Sequence, residues 1–188
     1  SNGAIASNMA VTTVREWWFH HLCEENVRDI EGLQMALERK IAEVNKAILR
    51  YAENCGKKMA TTMSVLLMHQ ERYYIFHVGD SRVYRMRYGI RKKIEQLTED
   101  QSKLVKQPLG NRSVWKSMLT SCLGYRSTFQ LYVAAGDITK NDVFFICSDG
   151  AYKKFEDKDI LNIAKKHSSK LDDFCKELLQ AARHRGEK

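Results

Sequence analysis

Three short segments place an aspartate where an apolar run ends. Val78-Gly79-Asp80-Ser81-Arg82 stands between two apolar runs, and Leu97-Thr98-Glu99-Asp100-Gln101-Ser102 follows a third. Val143-Phe144-Phe145-Ile146-Cys147 leads through Ser148 into Asp149-Gly150. Carboxylates gathered at strand ends suit a hard cation such as Mg2+ or Mn2+, which prefers oxygen ligands and keeps several of its waters. Taken singly, each segment is ordinary turn chemistry, since aspartate bonds its own backbone and glycine relaxes the turn. The six histidines offer no competing centre: His20-His21, His69, His77, His167 and His184 stand in no ligand pattern, and no nucleophile-elbow signature accompanies them.

The elements that would position these acids belong to a globular chain. Its 188 residues carry 31 Lys+Arg against 23 Asp+Glu, a net charge of +8, with 44% hydrophobic and 29% charged residues. That composition argues against disorder, and the length suits one domain over residues 1–188. A single proline and ten glycines exclude collagen-like and low-complexity chains. No apolar run approaches the roughly 18–20 residues of a membrane span, and no signal or transit pattern opens the sequence. Five widely spaced cysteines with no CxxC pair lack zinc-knuckle spacing and fit a reducing cytoplasm.

Apolar steps of three and four predict a first helix over 4–22 through Ile5, Met9, Val11, Val14, Trp17, Trp18 and Leu22. A second, longer helix runs from Val27 through Leu33, Leu37, Ile41, Val44 and Ile48 to Tyr51, closed by Gly56. Strands follow at Met59–Met68, Tyr73–Val78, Arg82–Met86 and Ile90–Leu97, with turns at His69–Arg72, Gly79–Ser81 and Tyr88-Gly89, reading as a hairpin and meander. Residues 98–127 read as a short helix and a loop. Phe129–Ala134 and Asp142–Cys147 are two further strands, with Gly136-Asp137 and Lys140-Asn141 as turn chemistry. Helices over Asp157–Lys166 and Leu171–Ala182 close the chain, the second entered through Ser169 with Asp172 and Asp173 in its first turn. Helices, a block of antiparallel strands, then helices define an α+β fold with helices on sheet faces. The basic run from Arg82 to Lys93, which includes Arg91, matches either a nucleic-acid face or a solvated edge hairpin; the second is preferred, because no recognition motif accompanies it.

In order and spacing, these segments resemble the metal-dependent serine/threonine protein phosphatases of the protein phosphatase 2C type over almost the whole chain. Met59-Ala60-Thr61-Thr62-Met63-Ser64-Val65-Leu66-Leu67 is similar to the family's Gly-Thr-Thr strand, with Met59-Ala60 at its glycine-rich entry. Gly79-Asp80-Ser81-Arg82 matches the Gly-Asp-Ser-Arg turn. Leu97–Ser102 matches Leu-Thr-x-Asp-His-Ser with Gln101 in the histidine's place. Leu119–Gly124 resembles the segment after the flap, and Phe145–Gly150 the strand ending in Ser-Asp-Gly.

The resemblance implies two stacked antiparallel β-sheets flanked by helix pairs, an α-β-β-α sandwich, and a cluster of Mg2+ or Mn2+ ions whose bound water attacks phosphoserine or phosphothreonine. Carried over by position, Asp149 is a ligand of the main metal pair and Asp100 helps hold an additional ion. Asp80 and Arg82 are structural, the one tying down its turn and the other buttressing it. No residue is assigned to substrate binding. Lys103, Lys106, Arg112 and Lys116 would attract an anionic substrate, though solvation is the plainer role.

The family's remaining metal acids lie in an Asp-Gly-x-Gly-Gly stretch and an Asp-Asn pair. This sequence opens at Ser1-Asn2-Gly3, a cloning remnant included in that reading, and closes at Arg185-Gly186-Glu187-Lys188 with neither element present. The expectation is a phosphatase domain missing its N-terminal and C-terminal edge elements, with an incomplete metal site and low turnover. Its substrate would be a phosphoprotein, with a serine/threonine kinase and its targets as partners, no membrane association and no nucleic acid. The alternatives are a non-catalytic phosphatase-like module and a basic nucleic-acid-binding domain.

Overall fold

The computed structural model describes residues 2–23, 30–88, 92–110, 112–167 and 170–186. The predicted helix start at Val27, the turn residue Gly89, the predicted strand start Ile90, Arg91 of the basic run and the helix-entry Ser169 lie outside the described residues, as do Ser1, Glu187 and Lys188. The chain divides into two compact units, one of Ser1–Met63, Phe76–Gly79 and Gln101–Leu131, the other of Ser64–Ile75, Asp80–Asp100 and Tyr132–Lys188.

In the first unit, helices α1 (Asn2–Cys23) and α2 (Ile30–Asn54) pack against each other. Leu33, Leu37, Ile41, Val44 and Ile48 of α2 advance by three or four and are all buried. Its end is a capped turn: the Lys57 N–H reaches the Ala52 carbonyl (2.9 Å) and the Gly56 N–H that of Glu53 (3.0 Å). The apolar face expected for α1 is corrected. Among its described side chains Ala6 and Ala10 are the buried ones, Met9, Val14, Trp17 and Trp18 are half-buried, and Ile5 and Val11 are exposed; side chains as small as alanine let a neighbouring helix approach closely.

Two further expectations fail in this unit. The strand predicted from Met59 begins only at Met63, and Thr61 instead makes an isolated bridge to Leu123, each N–H donating to the other's carbonyl (3.0 and 2.9 Å). Residues 98–127, expected as helix and loop, contain an antiparallel ribbon of β5 (Ser102–Leu109) and β6 (Arg112–Leu119) in continuous register from Ser102↔Leu119 to Leu109↔Arg112. Each of its faces mixes polar and apolar side chains, so the alternation that marks a half-buried strand is absent from the sequence. Pro108 is tolerated because a two-stranded ribbon leaves an outward edge on each strand.

Two three-stranded sheets fall mostly in the second unit, with Met63 and Phe76–Val78 belonging to the first. One sheet orders β1 (Met63–His69), β2 (Arg72–Val78) and β7 (Tyr132–Asp137); the other orders β4 (Lys93–Gln96), β3 (Arg82–Arg87) and β8 (Asp142–Cys147). Tyr73 and Ile75 of β2 pack with Val83 of β3 and Leu97, flanked by Leu66, Ala134 and Phe144. The strand period of two turns Tyr84, Met86 and Phe145 to the other face. There they meet helices α3 (Asp149–Tyr152), α4 (Asp157–Lys166) and α5 (Leu171–Gly186) through Ile160, Ala164, Phe174 and Leu178. Full burial of a side chain such as Met86, Ile160, Phe174 or Leu178 contributes about 1.5–3 kcal/mol.

The expected meander is therefore wrong. β2 and β3 belong to different sheets, and the chain changes sheets across Gly79-Asp80-Ser81. β7 begins three residues later than predicted and includes Gly136-Asp137; a glycine fits at 136, where a Cβ would stand 2.5 Å from the Tyr73 hydroxyl. Only part of the basic run lies at an edge: Lys93 opens β4, an outer strand of its sheet, whereas Arg82, Arg85 and Arg87 lie inside it. β3 is the central strand of its sheet, and its arginines face acids across it: Arg85 pairs with Glu95 (2.8 Å) and Arg87 with Asp142 (2.7 Å).

Candidate functional site

Antiparallel pairing of β3 with β8 sets Arg82, the first residue of β3, opposite Cys147, the last of β8. Asp80, just before β3, and Asp149, just after β8, are thereby brought to the same end of one sheet. The Asp-Gly turn expected after β8 is the first turn of α3, and this single helical turn directs Asp149, Tyr152 and Lys153 to the same place.

The four acids and bases picked from sequence join one chain of contacts. The Arg82 guanidinium forks onto Asp100, Nε to Oδ1 at 2.9 Å and Nη2 to Oδ2 at 2.6 Å, a planar bidentate match. Its Nη1 donates to the Tyr84 hydroxyl (2.7 Å), which donates to Asp157 (3.2 Å). The same guanidinium lies 3.8 Å from the centre of the Tyr152 ring. The Tyr152 hydroxyl donates to the Asp80 backbone carbonyl (2.6 Å), and the Lys153 ammonium stands 2.6 Å from Asp149 and 3.6 Å from the Asp80 carboxylate. Gln96 donates to Asp100 (2.9 Å) and to the Thr98 carbonyl (2.7 Å). Asp149 is the most open of the acids, its side chain 48% exposed against 12% for Asp80.

The electrostatics follow these contacts. Burial disfavours the Arg82 charge, but the hydrogen bonds to Asp100 and Tyr84 outweigh it and keep the guanidinium protonated. The hydrogen bond to Asp149 raises the pKa of Lys153 despite partial burial. Burial pushes Tyr152 up as well, and Cys147 up to about 12, so its thiol is a packing group and not a nucleophile.

Asp80, Asp100 and Asp149 offer the oxygen donors that hard cations take. They do not make up a metal centre: among the described residues no three His, Cys, Asp or Glu side chains group so as to hold an ion. Asp100 already accepts a two-pronged hydrogen bond, and Asp149 an ammonium.

Sequence reasoning overlooked Tyr152 and Lys153. Lys153 stands four residues after Asp149, the spacing at which an acid and a base meet on a helix, and that was the signal available. Gln101, noted only as a departure from a motif, is a brace within the first unit. Its Oε1 accepts the Gly79 N–H (2.8 Å), its Nε2 donates to the Gln130 carbonyl (3.0 Å), and its own N–H donates to the Gly79 carbonyl (2.8 Å).

Comparison with known proteins agrees with this architecture. The family profile of protein phosphatase 2C matches residues 1–187. The serine/threonine phosphatase stp of Listeria innocua is 30% identical over 186 residues, covering 92% of this chain and 71% of the relative. Among solved structures, PppA of Pseudomonas aeruginosa, described as a key regulatory component of the T6SS, superposes with a TM-score of 0.77 at 24% identity, over 97% of this chain and 74% of that one. The catalytic domain of the serine threonine protein phosphatase PstP, solved with 2 manganese ions, superposes with a TM-score of 0.71 at 22% identity, over 97% and 76%. These structures have the α-β-β-α sandwich of protein phosphatase 2C, and the present chain shares that α+β fold.

The chain belongs to the protein phosphatase 2C family. It is a protein serine/threonine phosphatase domain, and neither the non-catalytic module nor the nucleic-acid-binding domain is favoured. No helix among the described residues is long and apolar enough to cross a membrane.

Proposed function

We propose that this domain removes phosphate from phosphoserine and phosphothreonine in a phosphoprotein with the aid of Mg2+ or Mn2+. In this reading Asp149 and Asp100 are the carboxylates the chain brings to the cations, while Asp80 and Arg82 serve as structural supports. One observation carries the assignment: the contact chain Asp100–Arg82–Tyr152–Asp80–Lys153–Asp149 gathers these acids at one sheet end, each main-chain or side-chain link at 3.8 Å or less. The manganese ions of the related PstP structure support the choice of cation. A divalent cation in such a site supplies a water of lowered pKa and neutralises phosphate charge.

The residues described fall short of a full ligand set, so we infer that this polypeptide by itself holds the ion weakly and turns over slowly. Free thiols at Cys55, Cys122, Cys147 and Cys175 support a reducing, cytoplasmic setting. There the domain would reverse a serine/threonine kinase in a signalling pathway. Hydrolysis of para-nitrophenyl phosphate with added Mn2+ tests the reading: slow, metal-dependent turnover is expected. Robust turnover by this chain would refute the incomplete site, and turnover unaffected by chelation would refute the metal requirement.

A further inference from the structure

The β5–β6 ribbon contributes none of the residues of the candidate site. Direct pairing puts opposite residues on one face. One face therefore presents Leu104, Trp115 and Leu119 together with Lys106; the other presents Leu109, Val114 and Met118 together with Lys103, Arg112 and Lys116. Leu104, Leu109 and Trp115 are each about two-thirds exposed, at 69%, 66% and 67%. Among the described residues the two strands pair only with each other, so each keeps an outer edge. From Gln101 to Gly136 the sequence contains no aspartate or glutamate.

We propose that this ribbon docks an extended acidic segment of a partner protein, which adds to an outer edge as a further strand. Charge complementarity selects the occupant: four cations on the ribbon have no acid among them. An added strand sends alternate side chains to both faces, and both faces here offer apolar contact beside a cation. A bilayer would cover one face and leave half of the apolar side chains in water. A second copy of the ribbon would bring lysine against lysine, the arrangement by which edge strands avoid pairing with themselves.

The test uses the full chain and a fluorescein-labelled peptide that alternates glutamate with valine, read by fluorescence anisotropy. The peptide carries no phosphate, so its binding is independent of phosphatase activity. Binding is expected to weaken with salt and to fall by about tenfold or more in the Lys103→Glu/Lys116→Glu variant. It should be lost when alternate peptide nitrogens are methylated, since methylation removes the donors of a strand ladder. The peptide comparisons need no variant of the protein and so stand even if the double variant misfolds. The proposal is overturned if a lysine–valine peptide or the methylated peptide binds equally well. It is overturned equally if vesicles of phosphatidylcholine and phosphatidylserine capture the protein while the acidic peptide does not, or if the chain dimerises through the ribbon instead.

Discussion

Lys153 puts a cation between two acids of the candidate site. Its ammonium is 2.6 Å from Asp149 and 3.6 Å from Asp80, and 41% of its side chain is exposed, so it can swing away. An ion ligated by Asp149 must displace it. Lys153→Met should therefore tighten Mn2+ binding several-fold, by removing a competing charge of the kind worth about 1 kcal/mol near a surface. Isothermal titration of the variant against the parent checks this, and unchanged affinity would separate Asp149 from the metal. At this scale the sequence was informative where residue type is itself the signal. Asp80, Arg82, Asp100 and Asp149 stand out as charged groups at the ends of apolar runs. Tyr152 does not, because its role rests on the face it offers to Arg82 and on a hydrogen bond to a backbone carbonyl 72 residues away.

Elements with one apolar face were legible; those whose pattern is two-sided were not. The α2 stripe and β8 lie where periodicity puts them. The β5–β6 ribbon was lost because neither of its faces is uniformly polar. The sheet change after β2 was lost because a turn signal marks a turn and says nothing about which sheet receives the next strand. That corner depends on Gly79, whose φ of 115° few side chains tolerate and whose Cβ would meet Thr62 Cγ2 at 2.3 Å. Gly79→Ala is expected to cost about 3 kcal/mol, strain and overlap together. A urea titration measures it, and a loss below about 1 kcal/mol would show that the corner relaxes freely.

For the molecule as a whole, the excess of cations makes each remaining acid count. The hydrogen bond from Arg87 holds the Asp142 carboxyl down at about 2, from an ordinary value of 3.8. A carboxyl depressed on folding stabilises the folded state fully above its unfolded pKa, and that contribution is lost as pH falls through the folded value. Asp142→Asn should therefore unfold at lower urea than the parent at pH 7, with the gap closing as pH falls from about 4 toward 2. A gap independent of pH would mean that the loss comes from packing.

The most direct test of the metal assignment is Mn2+ binding followed by electron paramagnetic resonance in the parent chain, Asp149→Asn and Asp80→Asn. The account predicts weak but measurable binding in the parent, its loss in Asp149→Asn, and its retention in Asp80→Asn. Parent-like binding by Asp149→Asn would contradict the account.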